Sequence, residues 1–373
     1  MKTGKLRLII FGCGSAGQRA YHQIKSGVDV IGFTDNNRKL HGTRLFGLPV
    51  HAPADLLRLE FDRVYLASTY HREIRRQLIG QVGIPAARIE LSREFIPLPL
   101  STRLIGGIKT RIRAAGLPAD RFDLGLWRLR GKHAGRRAFI IGNGPSLRME
   151  DLDLLHRRRE LCFGSNKIYL AFDKTPWRPD YYGIQDRDTP KQAGPQIQDS
   201  YCGTFFLARY IAASFRPVPG RVYFNLIPPV PPPMRPRFSF NLLMGVACGR
   251  TITYPLLQLA CWMGVKEVYL LGVDFNYGNI GQTFDHAQYS GIRGYTYQPD
   301  AQNNYFVKDY HKPGETILMP YMEHQLTAYQ TAADLCDRAG PMRIFNATRG
   351  GKLEVFERVD FGSLFGNTCR SAS

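Results

Sequence analysis

Two apolar runs in the chain break into glycine-rich turns, and each opens a series of alternating strand-like and helix-like segments. The first is IIFGCGSAG at residues 9–17, and the second is FIIGNGPSL at residues 139–147. A strand followed by a glycine turn and a helix is the repeating unit of parallel α/β sheets. The sequence therefore predicts two Rossmann-like α/β domains with mostly parallel sheets.

The apolar runs also set the domain boundaries. In the first block the strands are LRLIIFG, VDVIGFTDNN and RVYLAS; in the second they begin at RAFII, LCFGS, DYYGI, GTFFLA, RVYFNLI and KEVYLLGVDF. We place a first domain at 1–96, a connector at 97–134, a second domain at 135–365 and a tail at 366–373. Two loops are also expected: an extended, proline-rich one at 227–238, and a long polar one at 276–318 that covers a site.

Composition narrows the class of protein. The 373 residues exceed what one core usually organises, and no apolar run approaches the roughly 18 residues of a membrane span. The apolar run near the N-terminus reaches glycines too soon for a secretory signal. Seven scattered cysteines without a CxxC pair favour reduced thiols. We expect a cytoplasmic homo-oligomer.

The chain is strongly basic, with 50 Lys and Arg against 31 Asp and Glu, and the connector is its most basic part. A helix there places one set of apolar side chains near one face, and basic side chains elsewhere. The apolar set is Leu100, Leu104, Ile105, Ile108 and Ile112; the basic set is Arg103, Lys109, Arg111 and Arg113. Such a helix either lies peripherally on an anionic membrane or packs between domains with a solvated basic face. No nucleic-acid-binding motif accompanies the charge, so we expect no nucleic-acid partner.

The first glycine turn has the spacing of a dinucleotide-binding fingerprint. Gly12, Gly14 and Gly17 complete GxGxxG between a strand and a helix, and Asp35 closes the second strand where a ribose-binding acid would sit. The following stretch, FTDNNRKLHGTRLFGLPVHAPADLL, resembles the N-terminal domains of sugar acyltransferases and polysaccharide-biosynthesis dehydratases. The resemblance implies a nucleotide or nucleotide-sugar module, or a scaffold that has lost its ligand.

The second glycine turn is built for an anion. Gly142 and Gly144 free the backbone so that consecutive N–H groups can point at a phosphate, Ser146 can cap the next helix, and Asn143 offers a donor and an acceptor. No Gly-Lys-Ser/Thr follows, so this is not a Walker motif. An ordinary strand–turn–helix junction would look similar.

The motifs around this turn resemble family 42 glycosyltransferases, the bacterial sialyltransferases, and the resemblance implies that the second domain of this chain is a GT-A-like variant. They also resemble proteins related to flagellin-modifying motility accessory factors. GNGPSL, GSNKIYL and the helix that leads into KEVYLLGVDF carry the resemblance. It implies that a CMP-sugar donor is held by Gly142, Asn143, Gly144, Ser146, Asn166, Gln185, Thr251, Thr253 and Asp274.

The departures from that family concern the catalytic groups. Asn276 stands where a tyrosine would stabilise the leaving phosphate, with Tyr277 one position later. Position in the family implies His324 as the base, with His311 and, less so, His286 as alternatives. A histidine base, with an ordinary pKa of about 6.5, can deprotonate an acceptor hydroxyl near neutral pH.

We therefore expect an inverting transfer of a sialic-acid-like sugar from CMP to a glycan or lipid-linked acceptor in surface polysaccharide or lipopolysaccharide synthesis. No metal or other cofactor is required, because Asp186 and Asp188 in QDRD read as a solvated turn or substrate contacts. The same resemblance includes archaeal 6-hydroxymethylpterin diphosphokinases, which implies a rival Mg²⁺-dependent transfer from ATP. A non-catalytic nucleotide-sugar scaffold is the other alternative.

Overall fold

The structure is a computed structural model. It describes residues 5–68, 70–92, 100–216, 220–230, 234–277, 288–289, 295–297, 304–312, 314–315, 317–318, 320–337 and 340–366. His286 and the side chains of Leu100 and Arg103 lie outside this described part. The chain forms two compact units, Met1–Arg103 with Gln288–Thr296, and Leu104–Ala287 with Tyr297–Ser373.

The first unit contains six strands of one sheet and two complete helices. The strands are β1 (Arg7–Phe11), β2 (Asp29–Thr34), β3 (Arg44–Leu45), β4 (Leu48–His51), β5 (Arg63–Leu66) and β6 (Ile89–Leu91). The helices are α1 (Ser15–Ile24) and α2 (His71–Gln77), and α3 (Leu100–Ala114) begins in this unit and continues into the second. The strand order is β3-β4-β2-β1-β5-β6, and every pair is parallel except β3 with β4. Ile9 and Ile10 of β1 belong to different apolar clusters, so both faces of the sheet are covered.

The second unit is built on an eight-stranded sheet in which every described pair is parallel. Its strands are β7 (Arg137–Ile141), β8 (Leu161–Ser165), β9 (Tyr181–Ile184), β10 (Thr204–Ala208), β11 (Arg221–Phe224), β14 (Glu267–Leu271), β18 (Arg343–Asn346) and β19 (Glu357–Arg358). The second unit also contains β12 (Leu226–Ile227), β13 (Val246–Ala247) and β17 (Ile317–Leu318), whereas β15 (Gln288–Tyr289) belongs to the first unit and β16 (Tyr295–Tyr297) is divided between the two. The helices are α4 (Asp123–Leu129), α5 (Met149–Arg158), α6 (Asp188–Ser200), α7 (Thr253–Trp262) and α8 (Met322–Ala332). The predicted α/β class with mostly parallel sheets is confirmed.

The core explains why these runs form parallel strands. Strand β7 is buried from Ala138 to Ile141, and α7 is buried along almost its whole length. A parallel sheet covered on both faces requires such continuous apolar strands. Helix α4, inside the segment predicted as a connector, adds Leu126 and Leu129 to this core, and the Trp262 indole donates to the Leu126 carbonyl at 2.7 Å.

One expectation about the basic helix is wrong. Arg113 does not lie on a solvated basic face, because its Nε donates to Asp123 Oδ2 at 2.8 Å and its terminal nitrogen donates to Asp120 at 2.8 Å. Asp120 and Asp123 are the only acids in the predicted connector, and both form ion pairs with Arg113. Among the described helices, none combines the length and apolar character needed to cross a bilayer. The six cysteines in the described part are free thiols.

Candidate functional site

The order of the eight strands creates a crevice at one place on the sheet. From β7 the chain continues outward through β8, β9, β10 and β11 on one side, whereas β14, β18 and β19 extend the sheet on the other. The loops after β7 and β14 therefore leave the carboxyl edge of neighbouring strands at a switch point. In open α/β sheets, ligands bind at this position.

Glycines let those two loops approach each other. A Cβ on Gly142 would lie 2.2 Å from the Gly272 carbonyl oxygen, and one on Gly144 would lie 1.9 Å from Asp274 Oδ2. The Gly142 N–H donates to the Leu271 carbonyl at 2.8 Å, and the Gly144 N–H donates to the Gly272 carbonyl at 2.9 Å. The expectation that these N–H groups point at a phosphate is therefore wrong. The glycines allow close packing of the two loops.

A side-chain hydrogen bond between Ser146 and Asp274 also joins the loops after β7 and β14. The Ser146 hydroxyl donates to Asp274 Oδ2 at 2.8 Å, and Asp274 is buried. Burial raises the pKa of the Asp274 carboxyl, while the bonds from Ser146 oppose that shift. Asp274 lines the cavity described below, whereas Ser146 does not. Ser146 thus acts here as a support for the aspartate.

A cavity of about 430 Å³ opens over this crevice, entirely within the second unit. Its volume falls in the usual range of small-molecule sites. The loops after β7, β8, β9 and β14 line it, together with the turn before α7, part of the predicted covering loop, and α8. Of the residues predicted from the sequence, those in its wall are Gly142, Asn143, Gly144, Asn166, Gln185, Asp186, Asp188, Thr251, Thr253, Asp274, Asn276, Tyr277 and His311.

Three amide side chains in the wall present buried oxygens without a hydrogen-bond partner in the described part of the chain. They are Asn143 Oδ1, Asn166 Oδ1 and Gln185 Oε1. The orientation of the Asn143 amide is fixed, because its Nδ2 donates to the Ser165 carbonyl at 3.2 Å. Buried polar atoms in native proteins are nearly always paired, so an unpaired set around one cavity indicates a ligand with donors.

Asn166 holds an unusual backbone conformation at this position. Its φ is +53°, in the left-handed region that non-glycine residues rarely adopt. Its carbonyl oxygen accepts a bond from the buried Tyr182 hydroxyl at 2.5 Å, and its N–H donates to the Gly183 carbonyl at 3.3 Å. These bonds from β9 fix the turn that carries the asparagine.

A buried ion pair, which sequence reasoning missed, holds part of the covering loop. Lys167 Nζ donates to the Tyr310 carbonyl at 3.0 Å and to Glu315 Oε1 at 3.1 Å. Glu315 Oε2 lies 3.2 Å from His311 Nδ1 and accepts the Lys312 N–H at 2.9 Å. The only signals in the sequence were the lysine directly after Asn166 in GSNK and the acid in HKPGE.

His311 is the histidine in the cavity wall. It is only 9% exposed, and neither ring nitrogen has a partner with hydrogen-bond geometry in the described part of the chain. Burial lowers its pKa, as does the nearby Lys167 ammonium, while the Glu315 carboxylate opposes the shift. Its imidazole is therefore neutral near neutral pH.

His324 lies elsewhere. It lines a smaller neighbouring cavity of about 40 Å³ with Arg250 and Cys248, and it is not in the wall of the large one. Burial, followed by the charge of Arg250, lowers its pKa. Arg250 lines both cavities, with its guanidinium 4.5 Å from the centre of the Tyr321 ring, and it makes no ion pair within the described residues.

The hydroxyl of Tyr277 is engaged by α8. It donates to Gln325 Oε1 at 2.9 Å, and Gln325 Nε2 donates to the Arg250 carbonyl at 3.2 Å. In this arrangement the Tyr277 oxygen offers a ligand an acceptor rather than a proton. Gln325 and Arg250 were also missed from the sequence, because neither belongs to a recognisable motif. Nearby, the Thr253 N–H donates to Thr251 Oγ1 at 3.3 Å.

Asp186 of QDRD binds the first turn of α6, and Asp188 is the first residue of that helix. Asp186 Oδ1 accepts the N–H groups of Asp188 and Thr189 at 2.9 and 2.6 Å, and Oδ2 accepts the Thr189 hydroxyl at 2.9 Å. Both oxygens are thus committed to the first turn of α6, and burial raises the pKa of the Asp186 carboxyl. Across the residues with defined positions, no group of three or more His, Cys, Asp or Glu side chains is placed to hold a metal ion.

In the first glycine turn, which lies in the first unit, the three glycines have different surroundings. A Cβ on Gly12 would lie 2.7 Å from the Ala67 carbonyl oxygen, and one on Gly17 would lie 1.7 Å from the Gly12 carbonyl oxygen. A Cβ on Gly14 would have no atom within 4 Å. Asp35 Oδ2 accepts the Cys13 N–H at 2.8 Å, so this acid braces the turn. Packing explains Gly12 and Gly17, whereas Gly14 faces open space.

One family model matches the N-terminal part of the chain, and solved structures match the chain at low sequence identity. Residues 4–90 match a family described as C2185-like, N-terminal. No curated protein matches the chain. Among solved structures, the MAf glycosyltransferase from Magnetospirillum magneticum AMB-1 is similar at 13% identity over 97% of this chain, with a TM-score of 0.39. The chain spans 58% of that protein's length.

Two further structures match smaller parts. UDP-D-quinovosamine 4-dehydrogenase from Vibrio fischeri is 23% identical over 28% of this chain and 87% of its own, with a TM-score of 0.21. RSP, a Rex-family repressor, is 19% identical over 30% of this chain and 61% of its own, with a TM-score of 0.22. Because TM-scores below 0.5 do not establish a common fold, these similarities carry no conclusion about this chain.

Proposed function

We propose that the second unit is a glycosyltransferase that moves a sialic-acid-like sugar from a CMP-activated donor to an acceptor hydroxyl. The observation that carries the proposal is the unpaired oxygens of Asn143, Asn166 and Gln185 in the wall of a 430 Å³ cavity at the switch point. The motif resemblance of GNGPSL and GSNKIYL supports the choice of nucleotide.

The polar groups of the cavity suit such a donor. Amide oxygens need hydrogen-bond donors, which the exocyclic amino group of cytosine and the hydroxyls of ribose and sugar supply. Arg250 makes no ion pair among the described residues, so it is available for a phosphate or carboxylate. Lys167, the other cation in the wall, is already neutralised by Glu315. The described part of the wall therefore offers one unpaired cation for an anionic group of the donor and amide oxygens for its amino and hydroxyl groups.

His311 is our choice of base. In the tautomer we propose, the proton is on Nδ1, 3.2 Å from the Glu315 carboxylate, so that Nε2 can accept a proton. In the step we propose, Nε2 takes the proton of the acceptor hydroxyl as its oxygen bonds to the anomeric carbon. The bond from that carbon to the phosphate oxygen breaks, and CMP leaves with the electron pair. Arg250 stabilises the charge on the departing phosphate.

Binding is tested first by calorimetry with CMP, UDP and ATP, each with and without Mg²⁺. We expect CMP to bind without Mg²⁺, and the Asn143→Ala and Asn166→Ala variants to lose this binding. The exposed Asn36→Ala in the first unit, whose amide bonds only Gln77 in the described chain, is the matched control and should bind normally. Mg²⁺-dependent ATP binding without CMP binding would contradict the proposal and favour the diphosphokinase alternative.

Turnover is tested separately by CMP release from a CMP-activated sialic acid. His311→Asn should abolish release while CMP still binds, and His324→Asn should retain it. Loss of release only in the His324 variant would move the base to that residue. CMP binding without release from any CMP-activated sugar would favour a non-catalytic scaffold.

A further inference from the structure

Helix α3 presents an uncovered apolar stripe. Leu104, Ile105 and Ile108 are 59%, 55% and 58% exposed. At about 100° per residue these three share one side of the helix, with Lys109 and Arg111 at its two edges and Arg113 opposite. Arg113 is the one tied inward to Asp120 and Asp123. The helix is therefore anchored by its polar side and shows its apolar side to solvent.

Helix α4 has an outward face of the same kind. Leu126 and Leu129 are buried in the core, while Leu124 and Trp127 are 39% and 42% exposed. Arg128, also exposed, lies on the turn beside them. The bonds of Arg113 to Asp120 and Asp123 join the end of α3 to the start of α4. We call the outward side chains of the two helices the α3–α4 surface.

The charge of this surface is of one sign. The two acids of residues 104–136, Asp120 and Asp123, are engaged by Arg113, and this stretch carries six further exposed cations that make no ion pair with any described residue, two in the helices and four in the loops on either side of α4. These are Arg111, Arg121, Arg128, Arg130, Lys132 and Arg136. The surface therefore combines exposed aliphatic side chains, an exposed tryptophan and unpaired positive charge.

We propose that the α3–α4 surface docks onto an anionic membrane. The aliphatic side chains enter the boundary between headgroups and acyl chains, Trp127 sits at headgroup level, and the cations meet the lipid charge. A second copy of the chain is a poorer occupant, because a two-fold contact through this surface would bring Arg111 and Arg128 close to cations of the same set on the other copy. This proposal is independent of the transferase proposal, because none of its residues lines the cavity.

Trp127 provides a built-in reporter. The chain has three tryptophans, and Trp177 and Trp262 are buried. The full-length protein is mixed with vesicles of phosphatidylcholine, with and without phosphatidylglycerol, and both co-sedimentation and tryptophan emission are recorded. We expect binding and a blue shift only with phosphatidylglycerol, both weakening as salt is raised. Equal binding to pure phosphatidylcholine, or no binding even at low salt, would overturn the proposal.

Three variants separate the contributions. The blue shift should be abolished in the triple variant Leu104→Ser/Ile105→Ser/Ile108→Ser. Vesicle affinity should fall on the order of 100-fold, about fivefold per cation, in the triple variant Arg111→Gln/Arg121→Gln/Arg128→Gln. Leu57→Ser, at a 66% exposed leucine of the first unit, is the matched control and should bind as the parent does. Because all the substituted side chains are solvent-accessible, the urea midpoints should not change.

Two outcomes would assign the surface to another occupant. A dimer seen by sedimentation that the triple-serine variant dissolves, with no vesicle binding by the parent, would make the surface a self-association site. Salt-dependent binding of DNA or RNA, again without vesicle binding, would make it a nucleic-acid site. Either result overturns membrane docking, and the salt titration of the unmodified protein decides it even if a variant fails to fold.

Discussion

The contact between the loops after β7 and β14 can be tested with one methyl group. In Gly142→Ala, the new Cβ would lie 2.2 Å from the Gly272 carbonyl oxygen and 2.7 Å from its carbonyl carbon. Both are backbone atoms, so no side chain can rotate away. The loops must separate by about 1 Å, since interiors are close-packed and overpacking is relieved by backbone shifts.

The cost follows from what that shift disturbs. It strains the bonds from the Gly142 N–H to Leu271 and from the Gly144 N–H to Gly272, at 2.8 and 2.9 Å. Overpacking and weakened hydrogen bonds together should lower the free energy of unfolding of the second unit by about 2–4 kcal/mol. A domain of ordinary stability, roughly 5–15 kcal/mol, remains folded after such a loss.

The assay is urea unfolding followed by tryptophan fluorescence, which reports on the second unit because Trp127, Trp177 and Trp262 all belong to it. Gly107→Ala, in α3 of the same unit, is the control, since a Cβ there would meet nothing within 4 Å and should leave stability the same or slightly higher. An unchanged urea midpoint for Gly142→Ala, at an unchanged slope, would refute the close approach of the two loops.

Three further predictions concern other parts of the chain. Asp123→Ala should lower the free energy of unfolding in urea by about 3–5 kcal/mol, because the largely buried Arg113 guanidinium then keeps only Asp120 of its two acidic partners. Glu357→Ala removes an exposed ion pair and should lower it by under about 1 kcal/mol. Equal losses for the two variants would contradict this reasoning. Gly14→Ala should leave the melting temperature followed by circular dichroism unchanged, because a Cβ there would meet no atom within 4 Å, whereas a clear drop would contradict the open space around this glycine. Because the pKa of His311 is lowered on folding, its contribution to stability is complete above about pH 6.5 and is lost as the pH falls below that value. His311→Asn should flatten the dependence of the urea midpoint on pH in that range, and an unchanged slope would argue against the shift.

The strands were predictable where burial dictates composition. RAFII reads as a fully buried parallel strand, and β7 is one. The hairpin of β3 and β4 was not predictable, because Phe46 and Gly47 form its turn with φ of +54° and +80°. A turn of this type usually carries Asn or Asp at its first position. Here Phe46 accepts the unfavourable conformation while stacking on Tyr21, with ring centres 4.8 Å apart, and such a tertiary contact leaves no local signal.

The site was predictable in part for a similar reason. Sequence spacing placed Asn143, Asn166 and Gln185 at strand ends, and parallel strands bring such positions to one edge. Sequence spacing could not show that β14 pairs with β7. The hydrogen-bond partners of the Gly142 and Gly144 N–H groups, which follow from that pairing, could therefore not be predicted. The ion pair of Lys167 with Glu315 spans 148 positions of the chain and depends on the path of a loop without periodicity.

The pairing of β7 with β14 also sets an order of events during synthesis. Ser146 and Asp274 are 128 positions apart in the chain, so the floor of the cavity cannot close until the ribosome has released β14. Until then the β7 edge that will pair with β14 stays open, and the strand is apolar from Ala138 to Ile141. Parallel sheets with such distant partners fold slowly and expose unpaired edges while they wait. The nascent chain should therefore be most dependent on chaperones between the emergence of β7 and that of β14, well before the site exists.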